Sequence, residues 1–407
     1  SAVLFVNTAA ELLSFSPFAH RLFGTPLVLS LAAMLSGYLI HREACGIVVR
    51  PKGWANTWSA NIWVAWLAPS WALLWWLAAW VPEAHRVLIH IAMPQYLAAA
   101  AVLVVLGSSV LWASLAKWRR WPVMGSLTGL TLLGYVDAAS QTAGLLPSIG
   151  GGWLMWPLAL AWHLCLLRWQ ETAQPTWLPK RVLQGIHVLG FWLFVVLATR
   201  ESALRLDLLG SEGTSWRLLG WALVPALVFW VIRSNILAKR WPQTTWRREY
   251  LEWACLPVAV HLAIWVWGSN ALSSGHAAPL PYVPVLNPLE LAHWLLLAAL
   301  GLWWLALPAT SKVRLPERLA AGFVGLTALA LVTGLVLRSV HHYAAVPWAS
   351  SALFDSRLAQ AAVSIVWSVC AVLAMLMGNR KSIRSLWIAG AVLLAVVVAK
   401  LFFVELA

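Results

Sequence analysis

Long apolar segments separated by short gaps run through this chain, and Lys and Arg fall in every second gap. Each segment is close to the ~20 residues that a helix needs to cross a bilayer. Because no water reaches the backbone inside lipid, the backbone must satisfy its own hydrogen bonds, and helices do so within one segment. Apolar residues make up 61% of the chain and charged residues only 10%, against about 25% charged in soluble proteins. The pattern predicts an all-α, polytopic helical membrane protein.

The spacing of the apolar segments predicts twelve transmembrane helices. Residues 1–22 form a lead-in, residues 23–268 hold the first eight helices, residues 269–288 form a loop rich in Pro and Ser, and residues 289–407 hold the last four helices. The predicted spans are 23–41, 57–81, 91–115, 121–139, 150–168, 182–199, 217–237, 251–268, 289–308, 319–340, 357–377 and 384–404.

The distribution of basic residues predicts the orientation. The six odd-numbered gaps are basic, whereas the even gaps hold few basic residues and most of the loop acids, such as Glu83, Asp207 and Asp355. By the positive-inside rule, the odd gaps are cytoplasmic. Both termini are then extracytoplasmic, as is loop 269–288, which is either a lid over an outer cavity or a connector.

The net charge of +14 does not predict a nucleic-acid-binding protein, because its basic residues lie in short loops where insertion topology explains them. The four cysteines are far apart and have no zinc-ligand spacing. Since no Gly-rich phosphate loop is present either, we expect neither a metal nor a cofactor. Membrane lipids are the expected partners. The chain is also rich in Trp, with 31 residues, many of them at span ends, where the aromatic belt of a membrane protein lies.

The last four predicted helices carry ionisable side chains at a similar outer depth. Such groups are costly inside a membrane and are candidates for function. Glu290 and His293 share one helix face, Arg338 shares a face with two histidines, and Lys400 lies more than a turn inside its apolar run. We predict that these groups share one outward-facing pocket. The candidate catalytic residues are Glu290, His293, His341 and His342, and the candidate substrate-binding residues are Asn287, Arg338, Tyr343, Gln360, Ser364, Trp367 and Lys400.

The chemistry of these side chains suits a lipid-linked or anionic envelope substrate. Arg338 and Lys400 would hold the anion, and Glu290 with His341 would handle protons. Two alternatives stay open: a transporter or flippase for such a substrate, and a scaffold subunit in which the same groups form internal ion pairs. The sequence names no reaction, so it does not decide whether the protein is an enzyme.

The C-terminal third carries four motifs that resemble a known family. They are Asn287-Pro288-Leu289-Glu290, Arg338-Ser339-Val340-His341-His342, Gln360 with Ser364 and Trp367, and Arg384 through Lys400 to Glu405. Over residues 285–407 the chain resembles a bacterial family of large predicted membrane proteins, domain of unknown function 2339. The resemblance implies a protein of the bacterial inner membrane. It also implies that this chain is the C-terminal half of a longer protein with an N-terminal coiled-coil segment, and it implies no activity.

Overall fold

The computed structural model describes residues 146–149, 152–172, 180–208, 210, 214–233 and 239–405. The regular secondary structure of these residues is helical, apart from an isolated β-bridge between Ala277 and Leu280, which confirms the predicted all-α fold for this part of the chain. The α-helices are α1 (Gly152–Thr172), α2 (Lys180–Asp207), α3 (Trp216–Arg233), α4 (Gln243–Glu249), α5 (Cys255–Leu272), α6 (Pro288–Ala306), α7 (Glu317–Ala344), α8 (Ser350–Asp355), α9 (Arg357–Arg380) and α10 (Arg384–Lys400). A π-helical turn, Tyr250–Ala254, joins α4 to α5, and a second one, Leu401–Glu405, follows α10.

Among the described residues, seven helical segments are long and apolar enough to cross a membrane. They correspond to the last seven predicted spans. The fifth predicted span, 150–168, corresponds to the helix α1, whose hydropathy is lower than that of these seven segments. The first four predicted spans lie outside the described residues. The total of twelve spans and the orientation of the termini therefore stay predictions. The seven segments are Lys180–Asp207, Trp216–Arg233, Gln243–Leu272, Pro288–Ala306, Glu317–Ala344, Arg357–Arg380 and Arg384–Phe403.

The chain divides into two compact units, Ser1–Gly190 and Phe191–Ala407, with the boundary inside α2. In the second unit, successive helices alternate in direction, so the loop between α5 and α6 lies at the same end as the loop between α7 and α9. We call residues Ser273–Asn287 the cap loop, and the end of the unit that carries them the cap end.

Hydrogen bonds from two neighbouring segments hold the cap loop. The backbone N–H and the hydroxyl of Ser215 donate to His276 O at 2.8 and 2.9 Å, and Trp216 Nε1 donates to Ala278 O at 2.8 Å. From the other side, His342 Nε2 donates to Ser274 O at 2.9 Å. The cap loop is thus attached to the start of α3 and to the end of α7.

Several tryptophans of the second unit lie inside the bundle and join helices. Trp303 Nε1 donates to Leu251 O at 2.9 Å and Trp192 Nε1 donates to Ala254 O at 3.0 Å. Both acceptors belong to the π-helical turn, where the wider spacing of the backbone hydrogen bonds frees carbonyl groups. Trp265 Nε1 donates in the same way to Leu218 O at 2.7 Å. Each indole thus fills core volume while its N–H finds an acceptor on another helix.

Candidate functional site

The first turn of α6 places an acidic side chain at the cap end. Asn287 caps this helix, because its Oδ1 accepts the backbone N–H of Leu289 at 2.9 Å, and Pro288 suits the first helical position. The Asn287 amide also donates to Gly275 O at 2.8 Å, which ties the helix start to the cap loop. Glu290 follows in the same turn, and its side chain is directed into the protein, where it is 1% exposed.

The Glu290 carboxylate is paired with Arg338 of α7 in the interior. Arg338 Nε lies 3.2 Å from Glu290 Oε1, and the two side chains are 0% and 1% exposed. The carboxylate accepts two further hydrogen bonds at 2.6 Å, from Tyr282 OH and from the backbone N–H of Val285. Three donors, one of them charged, therefore compensate the buried carboxylate, as a buried ion requires.

The remaining donors of Arg338 are directed at α5. Nη1 donates to Asn270 O at 3.2 Å and Nη2 to Asn270 Oδ1 at 3.0 Å. The Asn270 amide in turn donates to Ala330 O of α7 at 2.9 Å. We call Asn270, Tyr282, Glu290 and Arg338 the buried network. It connects α5, the cap loop, α6 and α7.

Two glycines make room for the buried network. Gly275 has a φ of +77°, a region that L-residues rarely adopt, and a Cβ there would lie 2.9 Å from Arg338 Cδ. Gly334 lies one turn before Arg338 on α7, and a Cβ there would collide with the Asn270 side chain. The close approach of α5 and α7 therefore requires a residue without a side chain at position 334.

Tyr282 connects the buried network to the surface of the cap end. Burial raises the pKa of its phenol, and the hydrogen bond to Glu290 raises it further, so the hydroxyl stays protonated and donates. The ring stacks on His342, with centroids 4.2 Å apart and planes 12° from parallel. The fixed phenol therefore holds an imidazole of α7 in place above the ion pair.

Further aromatic and imidazole rings surround this stack. His341 and His276 lie 4.7 and 6.5 Å from His342 between ring centroids. Tyr343, which is 67% exposed, donates its hydroxyl to Tyr282 O at 3.1 Å. We call these five residues, His276, Tyr282, His341, His342 and Tyr343, the imidazole–tyrosine patch. They come from the cap loop and from the last turn of α7.

Backbone carbonyls fix the protonation of two of these imidazoles. His342 Nε2 lies 2.9 Å from Ser274 O and His341 Nδ1 lies 2.6 Å from Val346 O. Because a carbonyl oxygen only accepts, each of these nitrogens carries a proton.

His293 lies one turn after Glu290 and makes a different contact. Its Nε2 is 2.8 Å from Ser269 Oγ, and that hydroxyl donates to Trp265 O at 2.6 Å. The Ser269 oxygen is therefore the acceptor and His293 Nε2 the donor. His293 Nδ1 is buried and has no hydrogen-bond partner among the described residues.

The polar side chains of α9 and α10 form a second group. Lys400 Nζ lies 2.7 Å from Ser364 Oγ and 3.0 Å from Gln360 O. Trp367 Nε1 donates to Thr333 Oγ1 of α7 at 2.8 Å. Apart from His293, which contacts Ser269, the hydrogen bonds thus sort the predicted site residues into two groups. Asn287, Glu290, Arg338, His341, His342 and Tyr343 belong to the cap end around the buried network, and Gln360, Ser364, Trp367 and Lys400 belong to the contacts of α9.

Sequence reasoning missed Asn270 and Tyr282. Asn270 had a usable signal, because it is a polar side chain near the end of an apolar helix. Tyr282 had no such signal, because a tyrosine in a loop of a membrane protein is common and does not by itself indicate a site. Among the described residues, no group of three or more His, Cys, Asp or Glu side chains is arranged to hold a metal ion.

Comparison with known proteins extends the resemblance seen in the C-terminal motifs. The family described as "Predicted membrane protein (DUF2339)" matches residues 57–407, which is most of the chain. No curated protein matches the chain, and no solved structure does either. With its apolar helices and this match, the chain belongs to the DUF2339 family of membrane proteins, whose function is unknown.

Proposed function

We propose that this chain is a bacterial inner-membrane protein that binds a lipid-linked or anionic envelope substrate at its cap end. The observation that carries the proposal is the imidazole–tyrosine patch, which lies above a fully buried ion pair. A set of rings held this firmly is pre-organised, so little conformational entropy is lost when a ligand binds.

The charges of the loops support a cap end that faces away from the cytoplasm. The cap loop has no Asp, Glu, Lys or Arg, whereas the loops at the other end of the helices are basic. This difference is the one that the positive-inside rule describes for short loops. The basic residues of those loops and of the adjoining helix ends are Lys239, Arg240, Arg247, Arg248, Lys312, Arg314, Arg318, Arg380, Lys381 and Arg384.

The contacts suggest a division of roles within the site. Arg338 and Glu290 neutralise each other in the interior, so in this proposal they support the site from beneath. The histidines of the patch would attract an anionic group when protonated. The exposed ring of Tyr343 offers a flat apolar face with a polar edge, and such a face suits the ring of a sugar.

The buried network also favours the scaffold alternative, in which the ion pair serves only to hold α5, α6 and α7 together. The two functions differ in one respect. A scaffold needs the buried network but does not need the exposed rings of the patch, whereas a binding site needs both.

We therefore expect Tyr343→Ala and His342→Ala each to weaken ligand binding about tenfold, which corresponds to about 1.4 kcal/mol. The protein would be studied in phosphatidylcholine nanodiscs, with a polyprenyl-diphosphate-linked sugar as the probe and thermophoresis as the readout. Polyprenyl phosphate without the sugar would show whether the anion alone is sufficient.

Phe354→Ala is the matched control, because Phe354 is an exposed aromatic residue (62% exposed) in the neighbouring helix α8 and outside the patch. Its affinity for the probe should equal that of the unaltered protein. Equal affinities for all variants, or an equal loss in Phe354→Ala, would contradict a binding site at the patch.

A further inference from the structure

Two segments at the end of the second unit opposite the cap end carry a group of basic side chains. The first segment surrounds α4, and the second connects α6 to α7. Trp303 Nε1, near the end of α6, donates to Leu251 O just after α4 at 2.9 Å, and Val313 packs against the same apolar cluster as Leu251. The two segments therefore lie side by side. We call their basic residues the basic patch: Lys239, Arg240, Arg247, Arg248, Lys312, Arg314 and Arg318.

Within the part of the chain that the structure describes, two cations of the basic patch have a carboxylate partner. Arg248 Nε lies 3.0 Å from Glu252 Oε1. Arg314 Nη2 lies 4.0 Å from Glu317 Oε1, and its guanidinium also packs over the Trp304 ring. The cations that are exposed and form no salt bridge with a described residue are Lys239, Arg240, Arg247, Lys312 and Arg318. A surface with several uncompensated positive charges attracts anions.

The helix α4 directs its basic residues outwards, because its other face is buried. Gln243 and Trp246 are 5% and 4% exposed, whereas Arg247 and Arg248 are exposed. The packing of α4 on the bundle therefore fixes the backbone from which these two cations extend.

Apolar side chains are exposed beside the cations. Leu315 and Leu319, which are close to Arg318 in the chain, are 51% and 62% exposed, and Trp253, which follows α4, is 52% exposed. Leu319 belongs to a helix that is long and apolar enough to cross a membrane, so its exposed side chain contacts acyl chains there. Cations next to such a surface lie at the depth of the headgroups. A phospholipid matches both parts of this surface, whereas a soluble phosphate matches only the charged part.

We propose that the basic patch binds the phosphate group of an anionic phospholipid in the adjacent leaflet. Guanidinium groups donate paired hydrogen bonds to phosphate oxygens, and clusters of Lys and Arg at a membrane surface recognise anionic headgroups. A zwitterionic phospholipid binds less tightly, because the patch repels its ammonium group. The basic patch shares no residue with the imidazole–tyrosine patch and lies at the other end of the helices, so this site is independent of the ligand proposed to bind there.

Native mass spectrometry of the full chain tests the preference for a headgroup. The protein would be released from detergent micelles that contain phosphatidylglycerol or phosphatidylcholine, and the bound lipids counted to give dissociation constants. We expect phosphatidylglycerol to bind about tenfold more tightly, and we expect the difference to shrink as ammonium acetate is raised from about 0.1 to about 0.5 M, because salt screens exposed charges. Glycerol phosphate at the same concentration as the lipid should not displace it.

A pair of double variants tests the place of the site. Arg240→Gln with Arg247→Gln should weaken the binding of phosphatidylglycerol about tenfold and leave that of phosphatidylcholine unchanged. Both side chains are exposed, so the fold should tolerate the change. The matched control is Arg380→Gln with Arg384→Gln, which removes the same charge from exposed positions at the ends of α9 and α10 and should keep the affinity.

Three results would overturn the proposal. Equal affinities for the two lipids would show that the patch does not recognise the charge of the headgroup. An equal loss in both double variants would show that only the net charge of the protein matters. Displacement of the lipid by glycerol phosphate would indicate a soluble phosphate as the ligand.

Discussion

Replacing Arg338 by alanine is expected to destabilise the protein by about 3–5 kcal/mol, because the substitution leaves the Glu290 carboxylate buried without its charged partner. Asn270 would lose both of its guanidinium donors at the same time. The free energy of unfolding can be followed by tryptophan fluorescence during a titration with sodium dodecyl sulfate in mixed micelles.

An exposed ion pair of the same unit provides the control. Arg205 and Glu201 of α2 also form a salt bridge, but their side chains are 61% and 21% exposed, so Arg205→Ala should cost only about 0.5 kcal/mol. The double variant Arg338→Met with Glu290→Gln should regain part of the loss, because no uncompensated charge is left. Equal costs for Arg338→Ala and Arg205→Ala would show that the buried network does not stabilise the fold.

Gly334→Leu is expected to destabilise the protein by about 1–3 kcal/mol through overpacking. The added Cβ would occupy the place of the Asn270 side chain. Asn270 would have to leave its contacts with Arg338 and Ala330, so the substitution acts on the buried network without touching a charge. The same detergent titration measures the effect.

Gly322→Leu is the matched control, since Gly322 lies on the same helix and a Cβ there meets nothing within 4 Å. Leucine is a better helix former than glycine, so this variant should be as stable as the unaltered protein or more stable. A similar loss in both variants would mean that the helix α7, rather than its contact with α5, is sensitive to the change.

Hydropathy was sufficient to predict the helices of the second unit, because a membrane-spanning helix is specified by the length and apolarity of one segment. It placed α6 at 289–308, and the helix is Pro288–Ala306. The end of α7 was less predictable. The predicted span ends at residue 340, but the helix continues to Ala344 and so carries His341, His342 and Tyr343 on its last turn.

The sequence did not predict which groups the polar side chains contact. Glu290 and His293 lie one turn apart, yet Glu290 faces Arg338 while His293 faces Ser269 of α5. Which groups meet depends on how α5, α7, α9 and α10 pack against each other, and small residues such as Gly334 and Gly390 set that packing. Similar depth in the membrane, which the sequence did indicate, does not specify contact.

The tryptophans show the same limit. Their abundance at predicted span ends indicated an aromatic belt, but Trp265 and Trp303 lie in the core and donate to backbone carbonyls of other helices. The acceptor of Trp303 is in the π-helical turn, and no pattern of residues in the sequence predicts that turn. An interior role for these residues follows only from the tertiary structure.

Site-specific labelling in intact cells tests the central claim most directly, namely that the cap end lies on the extracytoplasmic side. With the native cysteines replaced by serine, Leu280→Cys would place a thiol in the cap loop and Lys312→Cys would place one in the basic loop between α6 and α7. A membrane-impermeant maleimide should label Leu280→Cys in intact cells and Lys312→Cys only after lysis. The reverse pattern would put the imidazole–tyrosine patch in the cytoplasm and contradict a role with envelope substrates.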